Sequence, residues 1–225
     1  MLFNLPDGPR ELEIVELVVA GWTGRDEAGV RHHIDELAEI GVPGPSNFPL
    51  FYRVAASLVT MSSAIQVLGG ESSGEVEPLI VRTVDGLWLG LGSDHTDRGL
   101  ESVSVAASKQ ACAKPVAADL WPWGEVEDHL DAIRLQSWIE EDGGRVAYQD
   151  GTLAAIRPLG DLLSASGLGE MPLNPGQAAV MLCGTTPVLS GGIRAAGHFA
   201  MEMRDPTRGR SIRHSYDVST LPVVA

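Results

Sequence analysis

The sequence predicts an α+β fold that is mainly β. Three observations carry this. Short apolar or alternating runs recur along the chain, and clusters of Gly, Pro, Asn and Asp separate them. The one sustained helical pattern lies near the N-terminus. At 225 residues, 44% hydrophobic and 20% charged, the chain can bury a large core.

Residues 12–20 (LEIVELVVA) alternate and then run apolar, as a strand entering a core does. Gly21 to Gly24 form a turn and Asp26 is placed to cap a helix. The spacing predicts that helix over Ala28 to Ile40, with Gly41 at its end, Pro43 beyond, and Val30, Ile34 and Leu37 as its apolar stripe. A proline-rich loop covers 43–49, and Leu50 to Val59 read as a further strand or buried segment. Strands are expected at Ile65–Leu68, Pro78–Arg82 and Gly86–Leu91, the last two around an Asp85-Gly86 turn. Leu100 to Ala107 fit helix or strand. Trp123 to Leu135 read as helical, Arg145 to Tyr148 as a strand, and Asp150-Gly151 as a turn. Residues 158–167 form a short helix ending at Gly167. After the Asn174-Pro175-Gly176 turn, Ala178 to Cys183 read as a buried strand. His198–Arg204 and Ser211–Val218 then pair across residues 205–209.

Charge excludes some functions. With 30 acidic against 16 basic residues the net charge is −14, so no basic stripe exists to neutralise nucleic-acid phosphates or an anionic membrane. Two cysteines without a CxxC pattern, and an N-terminus without a basic n-region, predict a cytoplasmic protein in a reducing compartment.

The most chemically informative residues are acidic. In an extended strand Glu75 and Glu77 point to one face. Two carboxylates that close repel by roughly 4 kcal/mol at an effective dielectric near 20. A hard divalent cation removes that repulsion, and Asp94, from the next turn, completes an all-oxygen set. The plain alternative is a solvated strand edge beside an acidic turn. Two decoys are set aside. Gly70-Glu71-Ser72-Ser73-Gly74 satisfies GxSxG but lacks the following helix of a nucleophile elbow. Gly90-Leu91-Gly92 lacks the third glycine of a dinucleotide loop.

The order of motifs resembles the fumarylacetoacetate hydrolase superfamily over nearly the whole chain. The residues are His33-Ile34-Asp35-Glu36, Pro49-Leu50-Phe51-Tyr52-Arg53 with Ser57-Leu58, Glu75-Val76-Glu77, and Ser93-Asp94-His95-Thr96-Asp97-Arg98. Then come Ser108-Lys109-Gln110-Ala111, Tyr148-Gln149-Asp150-Gly151-Thr152, Leu173-Asn174-Pro175-Gly176-Gln177 and Cys183-Gly184-Thr185-Thr186-Pro187. Four departures stand out: a short interval between Glu77 and Asp94, an altered Ser-Ala-Arg-Asp stretch after it, Arg53 where lysine is usual, and an extra threonine after Gly184-Thr185.

The resemblance implies one catalytic domain over 1–225, with a lid-like segment over 1–60 and a mixed β-sandwich roll over 61–225. It implies Mg²⁺ or Mn²⁺ on Glu75, Glu77 and Asp94, and a His33–Glu36 dyad activating water. Helical geometry agrees in part: taking Val30 as zero, His33 falls at about −60°, bordering the stripe, and His32 at about 200°, facing solvent. Lys109 is expected to donate to an oxyanion or enolate. Thr185, Gln149, Arg25 and Arg53 are expected to bind substrate. The implied reaction is C–C hydrolysis of a 1,3-dioxo, acylpyruvate-like acid with a metal-held enolate. A 2-oxo acid decarboxylase, an isomerase, a sugar-acid dehydratase and a non-catalytic binding protein are the alternatives. A homodimer is implied too.

Overall fold

Runs that are apolar on both faces need cover on both faces, and that need organises the chain. The computed structural model describes residues 1–32 and 44–224. The strands of its two large sheets, in chain order, are β1 (Glu13–Gly21), β2 (Leu50–Val54), β3 (Ala64–Leu68), β4 (Val76–Thr83), β5 (Gly86–Ser93), β6 (Trp121–Pro122), β7 (Arg134–Glu141), β8 (Gly144–Thr152), β9 (Gln177–Leu182), β10 (His198–Asp205) and β11 (Arg210–Leu221). A six-stranded mixed sheet has the order β6-β5-β4-β9-β1-β2, and a five-stranded sheet the order β8-β7-β10-β11-β3. The result is the mainly β, α+β architecture that the sequence predicts.

The six-stranded sheet is buried on both sides, which accounts for its unbroken apolar runs. Val18, Ile80, Leu89 and Met181 face the second sheet and pack with Leu135, Phe199, Met203 and Ile212. Their neighbours Leu17, Val19, Leu79, Val81 and Val180 face the other way, onto Phe3, Leu12 and Val116. Strands β10 and β7 alternate buried with less buried residues, the pattern of a sheet covered on one face.

Most predicted elements form where expected. The helix predicted from Ala28 starts at residue 27, with Asp26 Oδ1 accepting from Ala28 N at 3.1 Å. Beyond residue 32 it lies outside the described residues, and His33 and Glu36 with it. The open segment 100–107 divides between two capped helices. Asp97 caps Arg98–Glu101 and Ser104 caps Val105–Ala111.

Two local expectations are corrected. Trp123–Leu135 is not one helix: it makes 3-10 turns at Trp123–Glu125 and Leu130–Ala132, and then enters β7. The buried Ile133 and Leu135 follow the two-residue period of the sheet, and β7 is paired on both sides. Asp150-Gly151 is not a turn either, because β8 runs through it. Asp150 is held by Arg134 Nε at 2.6 Å. A Cβ on Gly151 would lie 2.7 Å from Thr186 Cγ2, so the glycine serves close approach.

Candidate active site

The β4–β5 hairpin builds the site. Its two-residue turn sets a register in which Glu77 faces Gly92 and Val76 faces Ser93. Continued by one residue, this brings Asp94 opposite Glu75, and Asp94 N donates to Glu75 O at 3.0 Å. Directly opposed residues share a face of an antiparallel pair, so the short interval between Glu77 and Asp94 is the length the hairpin requires. One ligand oxygen from each of Glu75, Glu77 and Asp94 lies within 4.8 Å of the others.

Each carboxylate has a different electrostatic environment. Asp94 is fully buried. Lys109 Nζ makes a short hydrogen bond to its Oδ2, and Lys114 Nζ stands 3.1 Å from its Oδ1 while hydrogen-bonding the His95 carbonyl. Burial pushes Asp94 up, but the two ammonium groups outweigh it and hold it below the usual carboxylate range. Glu75 is raised by burial, against the pull of Arg98, whose Nη2 is 3.1 Å from Oε1. Glu77 is pushed well above its ordinary value by burial first and then by Asp94 and Glu75. Its Oε2 accepts the Gly184 N–H at 2.8 Å. Burial lowers Lys109, yet the surrounding carboxylates dominate and raise it, so it carries a full charge.

The donor set fits a hard divalent cation. Three carboxylate oxygens converge, and Glu77 is left with like charges that a cation would offset. Asp94 Oδ1 is buried and, among the described residues, accepts no hydrogen bond of good geometry. Glu75, Glu77 and Lys109 line a cavity of about 560 Å³ with Arg98, Thr185, Trp22 and Tyr52. Trp22 has φ 60. That left-handed conformation costs a non-glycine residue about 1–2 kcal/mol and recurs at functional sites.

The remaining predicted residues divide. Thr185 lines the cavity, but its hydroxyl donates to Val76 O at 2.7 Å and accepts from Gln149 Nε2 at 2.7 Å, leaving its backbone as the group to offer a ligand. Gln149 does not line the cavity. It is buried, and its amide joins Val76 N, Ser137 Oγ, Thr185 Oγ1 and Thr186 O, tying the acidic strand to the Gly-Thr loop. Arg25 is not brought here: it forks onto Asp131 with two 2.7 Å bonds, in a separate cavity. Arg53 pairs with Glu16 at 3.0 Å and with Ser166 O. The cavity's guanidinium is Arg98, fixed by Ser73, Glu101 and Glu75. Its signal was the Asp97-Arg98 pair in the motif already quoted. His95 turns away from the carboxylates, between Ser72 Oγ and Tyr216 OH at 3.0 Å each. Burial, then Lys114 and Arg98, lower it to about 3, so it is neutral. Ser72 is likewise buried on a two-residue strand and is no nucleophile elbow.

Gly184 is required by close packing. Its φ is +100, and a Cβ there would lie 1.7 Å from Thr23 Oγ1. Gly184→Ala is expected to lose on the order of 1–3 kcal/mol of stability and to weaken cation binding, because its N–H holds Glu77. Thermal unfolding with and without Mg²⁺ checks both, and a variant as stable as wild type would refute this packing.

Comparisons with known proteins bear on this geometry. The family model described as "Protein of unknown function (DUF2848)" matches residues 20–216. No curated protein matches the sequence. Solved structures do match. A 2-keto-3-deoxy-D-arabinonate dehydratase, complexed with magnesium and 2,5-dioxopentanoate, is 13% identical with a TM-score of 0.59, covering 92% of this chain and 74% of that one. A 5-carboxymethyl-2-hydroxymuconate delta-isomerase from Mycobacterium smegmatis is 13% identical with a TM-score of 0.62, covering 93% and 78%. A fumarylacetoacetate hydrolase from Exiguobacterium antarcticum is 14% identical with a TM-score of 0.56, and the match covers 92% of this chain and 75% of that one. The chain thus has the fold of the fumarylacetoacetate hydrolase superfamily and belongs to the DUF2848 family.

Proposed function

We propose that this protein is a divalent-cation-dependent enzyme acting on a small oxo acid, and that it hydrolyses a C–C bond of a 1,3-dioxo acid. The observation that carries this is the convergence of Glu75, Glu77 and Asp94 oxygens to within 4.8 Å of one another, beside a cavity that Glu75, Glu77 and Lys109 line. The structurally similar dehydratase bound with magnesium and a dioxo acid supports the ligand class.

Glu75, Glu77 and Asp94 hold Mg²⁺ or Mn²⁺, which when bound supplies Lewis-acid polarisation of substrate oxygens. Arg98 and the Gly184 N–H fix the two glutamates. Lys109 keeps Asp94 ionised and donates to oxygen as negative charge develops. The Thr185 backbone N–H receives the substrate carboxylate. His33, oriented by Glu36, takes a proton from water as it attacks the carbonyl distal to the acid. The C–C bond breaks, its electron pair stays on the carbon next to the 2-oxo group, and that carbon takes up the proton. The products are a carboxylic acid and a shorter 2-oxo acid, with one water consumed.

A second reading is dehydration, decarboxylation or isomerisation of an oxo acid. It is favoured by the structurally similar proteins, which include a dehydratase and an isomerase. His33→Ala decides between them. Hydrolysis requires turnover to fall by about 10²–10⁴ with Mg²⁺ affinity unchanged, read by kinetics and calorimetry. Intact turnover would remove the water-activating role.

A further inference from the structure

The cavity is two-sided in a way the oxo-acid chemistry does not need. Its charged floor is Glu75, Glu77, Arg98 and Lys109, while Trp22, Tyr52, Val105 and Ile193 supply apolar wall. Ile193 is 53% exposed, so it keeps apolar surface at the cavity for a ligand to bury.

Its loop is held with unusual care. Leu189 N donates to Tyr148 O at 2.9 Å where the loop leaves the sheet. Gly191 and Gly192, at φ 75 and 72, then turn the chain around the Arg194 guanidinium. Arg194 Nη1 donates to the carbonyls of Ser190 and Gly192 at 2.8 and 3.0 Å. Nε and Nη2 fork onto the Glu141 carboxylate, and the guanidinium lies 5.3 Å from the Tyr148 ring centre. A planar fork with both ends engaged fixes a loop as a flexible ammonium does not. The residue immediately before it, Ile193, is thereby set over the cavity. Trp22, in the same lining, is kept in a left-handed backbone conformation.

We propose that the substrate carries an apolar tail, that Ile193 is a specificity residue for it, and that Arg194 with Glu141 is the clamp that positions Ile193. The proposal rests on the functional reading above for the seat of the oxo-acid head. The tail lies along Trp22, Tyr52, Val105 and Ile193, and the substrate is an amphipathic oxo acid with an alkyl or aryl end.

Binding of straight-chain 2-oxo acids of three, five and eight carbons to the Mg²⁺-loaded protein tests this by calorimetry. Wild-type affinity should rise about threefold or more per added methylene. Ile193→Asn, which removes apolar surface without adding charge, should flatten that rise and leave the three-carbon affinity and the Mg²⁺ affinity unchanged. Arg194→Ala should flatten it in part, again without loss of Mg²⁺. Mg²⁺ uptake with no chain-length dependence in wild type, or an unchanged dependence in Ile193→Asn, overturns the tail proposal alone. No Mg²⁺ uptake by the wild type overturns the functional reading and this proposal together.

Discussion

Glu77→Gln should abolish Mg²⁺ binding and activity while leaving the metal-free protein as stable as wild type or more so. The variant keeps the size of the side chain and a carbonyl oxygen to accept the Gly184 N–H, so packing survives. What disappears is a carboxyl whose ionisation is opposed by burial and by two carboxylates beside it. At up to 4.8 Å, each such pair repels by roughly 3 kcal/mol at an effective dielectric near 20. In the absence of a cation that repulsion, together with burial, drives Glu77 toward its neutral form, which a glutamine reproduces. With one, the repulsion becomes the source of affinity. Cation affinity should fall by more than about 100-fold, beyond what loss of a supporting partner costs. Calorimetry and thermal unfolding read the two effects separately. A Glu77→Gln protein that binds Mg²⁺ normally would remove Glu77 from the ligand set.

Asp94→Ala should lose the cation equally but with the opposite effect on stability. Asp94 is the counterion of two buried lysines, and Lys114 is fully buried. Breaking a buried ion pair by deleting one partner costs about 3–5 kcal/mol, because the other charge stays behind in a poorly solvated place. In a chain of this size that lowers the melting temperature by roughly 10 °C. The contrast is the useful part. Two residues proposed to bind one ion are expected to move metal-free stability in different directions, because Glu77 is surplus negative charge and Asp94 is balanced charge. An Asp94→Ala protein melting with the wild type would mean that Lys109 and Lys114 are held by something else.

The triad could be read from the sequence because its geometry is local. Residue 75 meets residue 94 by the counting of a two-residue hairpin, and the two-residue period puts Glu75 and Glu77 on one face. The helix caps at Asp26 and Gly167 and the turn at Gly176 were legible for the same reason. Residues whose role depends on a distant partner were not. Arg25 and Arg53 have the chemistry of a carboxylate fork, but Asp131 and Glu16 occupy them. Gln149 reads as a polar residue at a motif, and only tertiary pairing makes it a buried link between strand and loop. Trp123–Leu135 has weak helical spacing, yet it forms only 3-10 turns before its last two residues join β7, which is paired on both sides. The parallel pairing of β11 with β3, Asp217 to Ala64, has no trace in either segment alone.

Titration of the purified protein with Mn²⁺, followed by electron paramagnetic resonance, tests the metal centre most directly. The geometry of Glu75, Glu77 and Asp94 predicts one tightly held ion per chain, displaced by Mg²⁺ and absent in Glu77→Gln. Free-ion spectra throughout the titration, or equal uptake by Glu77→Gln, would contradict it.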